Sequence, residues 1–414
     1  MSVIYENNLL KIDEVLINDL INKFDTPFYV YSANTIEKNF NNFKDKVSNN
    51  IFYSIKANSN LAIISLLSKL GSGFDVVSGE ELQKVLKTNT NPNKIIFEGV
   101  GKKRKDLELA IKNKIGRINV ESLNELKIIG DIALTMNIIP KIGIRINPDV
   151  NTQTNMKIST GKKTDKFGIS IEALDQTINL LNTLKNINLD GLSCHIGSQI
   201  FSNEAYEETF LKMKDVIVFF RKKNYLIKNL SLGGGMGIDS QDAQNFDLES
   251  FKNIVDKYFK GSDLKVSFEP GRYIVAKAGT LITKIVMTKE TKNSNFLIVD
   301  AGMNTFIRPA LYSEEHKIIP IIDKKIDTKY IIAGPVCESS DIFSKNIMLP
   351  KQNINDFLAI LNTGAYGSEM SSNYNSKGKP LELMVKENKF EIIRQPQTLE
   401  ELISVDRIPD WILN

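Results

Sequence analysis

The chain contains few of the residues that build disulfide frameworks. Its 414 residues include two cysteines, two histidines and one tryptophan. Two cysteines far apart in sequence are typical of a reducing compartment, so we expect a cytoplasmic protein, although a redox or catalytic role for one of them stays open. The start, MSVIYENNLLKIDEV, lacks the basic and apolar regions of a secretory signal.

Long apolar runs and concentrated charge are also missing. No stretch approaches the roughly 18 to 20 apolar residues of a membrane-spanning helix, so we expect no membrane partner. The formal charge of +4 is spread along the chain, which gives no reason to expect a nucleic-acid partner. The densest basic run is KKRK at 102–105. Because Asp106 and Glu108 follow it on a predicted helix, we interpret it as a solvated face.

What the chain does have is a regular alternation of short apolar runs with amphipathic segments. Eight runs are candidate strands: IFYSIK (51–56), FDVV (74–77), KIIFEG (94–99), RINV (117–120), IPKIGIRIN (139–147), LDGLSCHIG (189–197), NLSLGGG (229–235) and KVSFEPG (265–271). Between them lie segments such as EELQKVLK, with apolar residues spaced as on one face of a helix. Eight βα units over roughly 250 residues predict a closed (β/α)₈ TIM barrel within an α/β fold.

The pattern changes near residue 274. TLITKIVMTKE, NSNFLIVDAG, YIIAGPV and LELMVKENKFEIIRQ are β-rich and are not separated by long helices. They predict a second, mostly antiparallel domain, a β-barrel or sandwich. We therefore expect a barrel domain over 27–274 and a β domain formed by 1–26 together with 275–414.

Unusual residues collect where the predicted barrel strands end, which is where barrel enzymes carry their chemistry. They are Lys56, Asp75, Ser78, Arg145, His195, Ser198, Gly233, Gly234, Gly235, Glu269 and Arg272. Each one taken alone has a simpler explanation. Lys56 could be a surface lysine, the glycines a tight turn, and Glu269 a structural partner of Arg272.

Together these residues indicate one cofactor. A partly desolvated lysine can form a Schiff base with an aldehyde, and a glycine loop lets backbone N–H groups approach a phosphate. An aldehyde trap beside a phosphate cradle suggests pyridoxal 5′-phosphate. Its ring nitrogen needs a partner, for which Glu269 is the candidate. LGGGMGI has neither the GxGxxG spacing of a dinucleotide fold nor the ending of a P-loop, so neither of those is favoured.

Nine motifs, in order and over nearly the whole chain, resemble diaminopimelate decarboxylases, within the alanine-racemase-like, fold-type III pyridoxal-phosphate enzymes. They are YSIKANSN, GFDVVSGEEL, RINPDV, ISTGKKTDKFGI, CHIGSQI, LGGGMGI, EPGRYIVAKAG, GPVCESSDIF and GAYGSEMSSNYN. The resemblance implies pyridoxal-phosphate-dependent conversion of meso-2,6-diaminopimelate to L-lysine and CO₂, the last step of lysine biosynthesis. It also implies a barrel paired with a β domain, and a homodimer.

The resemblance assigns roles to residues in the barrel. Lys56 resembles the Schiff-base lysine, His195 the imidazole that stacks on the cofactor ring, and Glu269 the partner of the ring nitrogen. The implied phosphate site comprises Ser198, Gly233, Gly234, Gly235 and Gly271. We count Asp75 and Arg272 with the cofactor site as well.

It also assigns roles beyond residue 300. Arg308 and Tyr312, with Arg272, resemble the grip on the far carboxylate of the substrate, since an arginine fork suits a carboxylate. Glu338 would accept from the far ammonium group, and Tyr366 would touch both cofactor and substrate. Cys337 resembles the proton donor to the carbanion, supplied by the partner subunit.

Three alternatives remain to be weighed. An ornithine- or arginine-type decarboxylase on the same fold would need an acidic residue for a distal ammonium group, where this chain offers Arg308 and Tyr312. An alanine racemase would use a tyrosine where Cys337 stands. A non-catalytic pyridoxal-phosphate carrier would be a single barrel, with no use for the second domain.

Neighbouring Cys194 and His195 look like a catalytic pair or a pair of metal ligands. On a continuing strand they would point to opposite faces, so we predict neither a dyad nor a metal site. His195 would face the barrel mouth, and Cys194 would pack outward as a small apolar residue. We interpret His316 as a surface histidine near Arg308, and 148–168 as an active-site loop.

Overall fold

The structure is a computed structural model that describes residues 3–152, 160–161, 165–244 and 246–413. Within that part of the chain the strands are β1 (Val3–Glu6), β2 (Leu9–Ile12), β3 (Val15–Leu16), β4 (Phe28–Ser32), β5 (Phe52–Ser54), β6 (Gly73–Val76), β7 (Ile95–Phe97), β8 (Arg117–Val120), β9 (Lys141–Asn147), β10 (Ile169–Ser170), β11 (Asn188–Ser193), β12 (Asn229–Ser231), β13 (Lys265–Ser267), β14 (Gly279–Glu290), β15 (Asn295–Val299), β16 (Ile318–Pro320), β17 (Thr328–Ala333), β18 (Ile342–Leu349), β19 (Phe357–Ile360), β20 (Leu381–Lys386) and β21 (Lys389–Arg394).

The helices of the same residues alternate with strands up to about residue 275 and are short after it. They are α1 (Ile17–Ile21), α2 (Ala33–Lys46), α3 (Leu61–Lys69), α4 (Gly79–Lys87), α5 (Arg104–Lys112), α6 (Leu123–Met136), α7 (Leu174–Thr183), α8 (Glu204–Lys222), α9 (Leu248–Phe259), α10 (Arg272–Val275), α11 (Arg308–Tyr312), α12 (Leu399–Ile403) and α13 (Asp410–Leu413). None of the described helices is long and apolar enough to cross a membrane.

The eight predicted barrel strands are all present and all parallel. They lie in the order β5, β6, β7, β8, β9, β11, β12 and β13. A parallel bridge between Ile51 and Phe268 closes the ring, with the Phe52 N–H donating to the Phe268 carbonyl at 2.9 Å. The (β/α)₈ barrel is therefore confirmed. The strands β8 and β9 end where predicted, and the other six end earlier, because glycines and polar residues such as those of LGGGMGI turn out of the sheet.

Side-chain caps begin several of the barrel helices. Asn60 accepts from the Ala62 N–H at the start of α3, and Ser78 accepts from the Glu81 N–H at the start of α4. Ser122 does the same for α6. Such caps satisfy N–H groups that a helix leaves without partners. Ser78, noted at a strand end in the sequence, therefore has a structural role here.

The second unit is mostly antiparallel. Its main sheet has the order β18, β17, β15, β14, β4, β20 and β21, with β19 and β16 paired beside β14. Two of its pairs, β15 with β17 and β20 with β4, are parallel. Its core includes Phe28, Val30, Ile282 and Leu383, together with residues of β1 to β3.

The division of the chain into compact units is close to the sequence expectation and differs from it in two segments, 27–36 and 240–243. One unit comprises 1–36, 240–243 and 275–414, and the other comprises 37–239 and 244–274. The prediction from the sequence groups residues 27–36 with the barrel, but β4 pairs with β14 and β20 of the second sheet. A fully buried apolar strand such as FYVYS reads the same in either sheet, so the sequence pattern cannot place it.

The basic run at 102–105 differs from its prediction at one residue. Lys103, Arg104 and Lys105 are exposed, but the Lys102 side chain is fully buried. Its ammonium group donates to Glu125 at 2.7 Å and to the Asn119 carbonyl at 2.7 Å. Burial of a lysine requires partners of this kind, so the interpretation as a wholly solvated face was wrong for Lys102.

Candidate active site

Lys56 lies on a short 3₁₀ turn, Ile55–Ala57, that follows the first barrel strand. Its Nζ is 2.5 Å from Oδ2 of Asp75 on β6, and the Asp75 side chain is fully buried. Ser54 Oγ donates to the same carboxylate oxygen at 2.5 Å. A surface lysine would not pair with a carboxylate at that depth. The amine is therefore held in place while about a third of its side chain stays accessible.

Glu269 follows the last barrel strand and is buried. Ser231 Oγ donates to its Oε1, and its backbone N–H donates to the Gly233 carbonyl at 2.7 Å. Burial raises the pKa of Glu269 well above its usual range, and the neighbouring carboxylates of Glu98 and Asp75 raise it further. Without a positive partner at its oxygens, this carboxyl group therefore keeps its proton.

His195 lies two residues beyond the end of β11. The Gly234 N–H donates to its Nδ1 at 3.2 Å, so the neutral ring carries its proton on Nε2. Burial lowers the pKa of His195 well below its usual range, and the positive charges of Arg145 and Lys56 lower it further. The ring is thus a neutral, oriented imidazole.

Cys194 is buried, and its N–H donates to the Ser231 carbonyl at 3.0 Å. Burial raises the pKa of its thiol far above the usual range, so it stays protonated. Because Nδ1 of His195 is occupied by the Gly234 N–H, that nitrogen does not serve the thiol. Among the described residues, no group of three or more His, Cys, Asp and Glu side chains is placed to hold a metal ion.

The glycine turn after β12 needs its glycines for two reasons. Gly233 and Gly235 have φ of 64° and 94°, a region that disfavours other residues. A Cβ on Gly234 would lie 2.2 Å from the Glu269 carbonyl oxygen, and one on Gly235 would lie 2.3 Å from the Gly197 carbonyl oxygen. The turn therefore brings its backbone tightly against the loops that carry His195 and Glu269.

Three more predicted residues, Ser198, Gly271 and Arg272, border the barrel site. Gly271 packs against the lysine turn, since a Cβ there would lie 3.0 Å from both Ala57 Cβ and the Ser54 carbonyl oxygen. Arg272 Nη2 donates to Ser198 Oγ at 3.3 Å. The structure thus brings together Ser198 and Arg272 in one contact, and Lys56 and Gly271 in one neighbourhood.

A buried charged layer inside the barrel was missed from the sequence. Arg145 Nη1 donates to Glu121 Oε1 at 2.6 Å and lies 3.8 Å from Glu98 Oε2. Asn119 donates to Glu98. Arg145 had been noted at a strand end, but no role was given to it or to its partners. Charged and amide residues inside apolar strands such as RINV and IGIRIN were the available signal.

The β unit holds the other predicted residues, and three of them lie together. The buried guanidinium of Arg308 has the Tyr312 ring centroid at 4.9 Å and the Tyr366 ring centroid at 5.8 Å. Its Nη2 also donates to Glu314, a residue that was missed from the sequence. Tyr366 has a φ of 56°, an uncommon conformation for a bulky residue and one that marks a constrained position.

Cys337 and Glu338 lie on the exposed turn between β17 and β18. The Tyr374 hydroxyl donates to Glu338 Oε1 at 2.5 Å, and this bond raises the pKa of Tyr374. Exposure distinguishes these two residues from the other predicted site residues of the same unit.

The interpretation of His316 as a surface histidine is wrong. His316 is 4% exposed, its ring Nδ1 lies 3.0 Å from the Leu361 carbonyl oxygen, and its ring meets that of Phe306 edge to face at 4.7 Å. Its burial could not be predicted from the sequence, because the charged neighbours in SEEHKII are typical of a surface segment. The predicted loop at 148–168 lies partly outside the described residues, because 153–159 and 162–164 are not among them.

The barrel residues suit pyridoxal phosphate. Lys56 offers an amine for an aldehyde, Glu269 a proton-holding carboxyl group, and the glycine turn a backbone that can approach a phosphate. Within the described part of the chain, Asp75 Oδ1 and Ser193 Oγ are buried without a hydrogen-bond partner. Such atoms usually have a ligand or water beside them.

Comparison with known proteins agrees with this fit. The model of the pyridoxal-dependent decarboxylase family, pyridoxal binding domain, matches residues 33–276. The fold and the donor set therefore define a pyridoxal-dependent decarboxylase.

The particular family follows from full-length relatives. Diaminopimelate decarboxylase of Vibrio cholerae is 38% identical over 97% of this chain and 98% of its own length. That of Helicobacter pylori is 40% identical over 93% and 96%. The chain belongs to the diaminopimelate decarboxylase family.

Solved structures support the same assignment. The H. pylori enzyme in complex with L-lysine has a TM-score of 0.90 and 38% identity, covering 94% of this chain and 98% of that one. The M. jannaschii enzyme in complex with L-lysine has a TM-score of 0.92 and 35% identity, covering 99% and 98%. Lysine decarboxylase of Selenomonas ruminantium, at 23% identity, shares the fold alone.

Proposed function

We propose that this protein catalyses the pyridoxal-phosphate-dependent decarboxylation of meso-2,6-diaminopimelate to L-lysine and CO₂, the last step of lysine biosynthesis. The observation that carries the proposal is Lys56 at the barrel mouth, paired at 2.5 Å with a buried aspartate. Family membership over nearly the whole chain supports the choice of substrate.

Pyridoxal phosphate, when bound, supplies an electron sink next to the bond that breaks. Lys56 would hold the cofactor through its aldehyde, and Asp75 orients the Lys56 amine at 2.5 Å. Glu269 would be the partner of the ring nitrogen: its pKa is raised by burial in the cofactor-free protein, and a positive ring nitrogen beside it would favour the carboxylate that keeps that nitrogen protonated. His195 would cover one ring face as a neutral imidazole.

The glycine turn and its neighbours would hold the phosphate. Gly233 and Gly235 give the turn its left-handed backbone, which exposes N–H groups to an anion. Ser198 and Gly271 would add to the same site. The Arg272 guanidinium, which donates to Ser198, would supply positive charge.

The β-unit residues would select the substrate. Arg308 and Tyr312 would hold the far carboxylate, Glu338 the far ammonium group, and Tyr366 would touch cofactor and substrate. Holding the far end fixes which carboxylate stands next to the electron sink, and such positioning is a large part of catalysis. The burial of Arg308 supports the assignment, since a desolvated guanidinium binds a carboxylate strongly.

Cys337 would return the proton that replaces the lost carboxylate. We propose that it does so in the active site of a partner subunit, so that the working form is a homodimer. Its exposure, with that of Glu338, supports a role at an interface. Both cysteines are free thiols, as expected in the cytoplasm, where we propose that the protein works.

Purified protein loaded with pyridoxal phosphate should release CO₂ from meso-diaminopimelate and form L-lysine in equal amount. Ornithine, arginine and L-lysine should give far slower release, because none presents a second amino-acid carboxylate to Arg308. Release from ornithine but not from diaminopimelate would contradict the proposal and favour the basic amino-acid decarboxylase. Cofactor binding without release from any of the four would favour the carrier.

A further inference from the structure

The side chains around Arg308 form a cluster that includes more than the predicted substrate residues. The cluster consists of Arg308, Tyr312, Glu314, His316 and Tyr366. Two tyrosine rings lie at 4.9 and 5.8 Å from the guanidinium carbon. Glu314 accepts from Nη2 of Arg308 and is itself mostly buried, with 18% of its side chain exposed.

His316 forms the far wall of this cluster. Its Nδ1 lies 3.0 Å from the Leu361 carbonyl oxygen, and its Nε2 lies 3.9 Å from Glu314 Oε1. Because a carbonyl only accepts, Nδ1 carries a proton in this contact. The Phe306 edge contact fixes the ring plane. The imidazole thus limits where the Glu314 carboxylate can move.

The guanidinium retains hydrogen-bonding capacity in this arrangement. Nε of Arg308 is buried and has no hydrogen-bond partner among the described residues. A buried donor without a partner is costly, and a ligand oxygen would satisfy it. Glu314 therefore uses one nitrogen of Arg308, and another remains to donate to a ligand.

The energetic cost of burying Arg308 explains why the Glu314 carboxylate lies beside its guanidinium. An arginine with 4% of its side chain exposed has lost most of its hydration, which is tolerated only with a paired charge. A long side chain also has many rotamers to restrict before it can make a two-point contact. Glu314 lowers both costs before any ligand arrives.

We propose that Glu314, backed by His316, is a positioning residue that fixes Arg308 for recognition of a ligand carboxylate. This inference rests on the proposed function, in which Arg308 reads the far carboxylate of the substrate. Glu314 acts through Arg308 and makes no ligand contact of its own.

The test compares two ligands of the pyridoxal-phosphate holoenzyme. L-lysine and 1,5-diaminopentane have the same amine spacing and differ only in the carboxylate. Their dissociation constants are measured by titration of the cofactor absorbance for the wild type, Glu314→Ala, Glu314→Gln, His316→Asn and Arg308→Lys. Glu315→Ala is the matched control, because Glu315 is the exposed neighbour of Glu314.

Glu314→Ala should weaken L-lysine about 10-fold, the effect of one hydrogen bond to a charged group, and leave diaminopentane unchanged. Glu314→Gln should restore part of the loss, since its amide oxygen can still accept from Nη2. His316→Asn should weaken L-lysine less than Glu314→Ala does, and Glu315→Ala should have no effect.

The inference is overturned if Glu314→Ala binds L-lysine as the wild type does, or weakens both ligands equally. Glu314→Gln and His316→Asn decide the matter if the alanine variant does not fold. Suppose that the wild type binds L-lysine more tightly than diaminopentane, and that Arg308→Lys loses this preference while Glu314→Ala keeps it. That result contradicts the inference about Glu314 and leaves the proposed function intact. A wild type with no preference contradicts the proposed role of Arg308, and the inference with it.

Discussion

The barrel unit and the β unit support their candidate site residues in different ways. In the barrel unit, Lys56, His195 and Glu269 are each fixed by a hydrogen bond with a neighbouring strand or loop of the same ring. In the β unit, Arg308 is buried and held, whereas Cys337 and Glu338 stand exposed on a turn. The chain thus fixes these three candidate cofactor residues by its own contacts and leaves the proposed proton donor exposed to another surface.

Lys56→Ala tests the candidate site residues of the barrel unit and should have the largest effect on turnover. We expect turnover to fall by more than about 10⁴-fold, as when a covalent catalytic group is removed. Borohydride reduction followed by peptide mapping should label Lys56 in the wild type and give no label in the variant. Lys69→Ala, at the exposed end of α3, is the control. A label that persists on another lysine would remove Lys56 from its role.

Cys337→Ala tests the exposed turn. The variant should fold and bind the cofactor, but turnover should fall about 10²- to 10⁴-fold, since a proton donor is lost. Cys194→Ala is the matched control, because that thiol is buried with a raised pKa, and its turnover should stay close to the wild type. Full activity in Cys337→Ala would exclude the residue from the mechanism.

Glu269→Gln tests whether burial raises the pKa of the Glu269 carboxyl group. Turnover should fall about 10²-fold, as for loss of one electrostatic contact. In the cofactor-free protein the pKa of Glu269 is raised above its ordinary 4.5, so the native state holds a proton that the unfolded state releases. The stability contributed by Glu269 is therefore complete below pH 4.5 and is lost as pH rises through the folded pKa.

Urea unfolding of the two cofactor-free proteins measures this difference. Because glutamine cannot ionise, the free energy of unfolding of Glu269→Gln, minus that of the wild type, should increase as pH rises from 4.5. A difference that decreases over the same range would mean that the carboxylate is stabilised in the fold.

Tyr374→Phe should have the smallest effect. It removes the hydrogen bond to Glu338 from an exposed site, so we expect KM for diaminopimelate to rise about 2- to 5-fold with kcat nearly unchanged. Tyr225→Phe is a control, since its hydroxyl bonds Asn182 on an exposed part of the barrel unit. A fall in kcat that exceeds the rise in KM would mean that Tyr374 contributes to the chemical step.

The eight barrel strands were predictable because their apolar runs and turn residues repeat regularly. The candidate site residues of the barrel could be predicted for a related reason, since polar side chains at the ends of parallel strands share one rim. The β unit gave weaker signals. FYVYS is buried on every side, so its sequence carries no alternation that could assign it to one sheet or the other.

The missed residues depend on tertiary contacts that a single sequence does not encode locally. Glu314 and His316 stand in SEEHKII, a segment that reads as surface, yet one pairs with a buried arginine and the other packs on Phe306. Lys102 is buried by Glu125 and by carbonyls from elsewhere in the chain. The partners of Lys102 are 17 and 23 residues away in sequence, so spacing alone does not reveal them. Glu314 is only six residues from Arg308, and for this pair it is the burial, stabilised by the opposite charge, that the sequence does not reveal.

The central claim, that the cofactor group and the proton donor come from different subunits, is tested most directly by mixing two inactive variants. Lys56→Ala and Cys337→Ala are unfolded together in equal amounts, refolded with pyridoxal phosphate and assayed for CO₂ release from meso-diaminopimelate. Random pairing in a two-fold dimer gives half mixed dimers with one intact site each, so activity should recover to about one quarter of the wild type. Activity no greater than that of the separate variants would contradict the account.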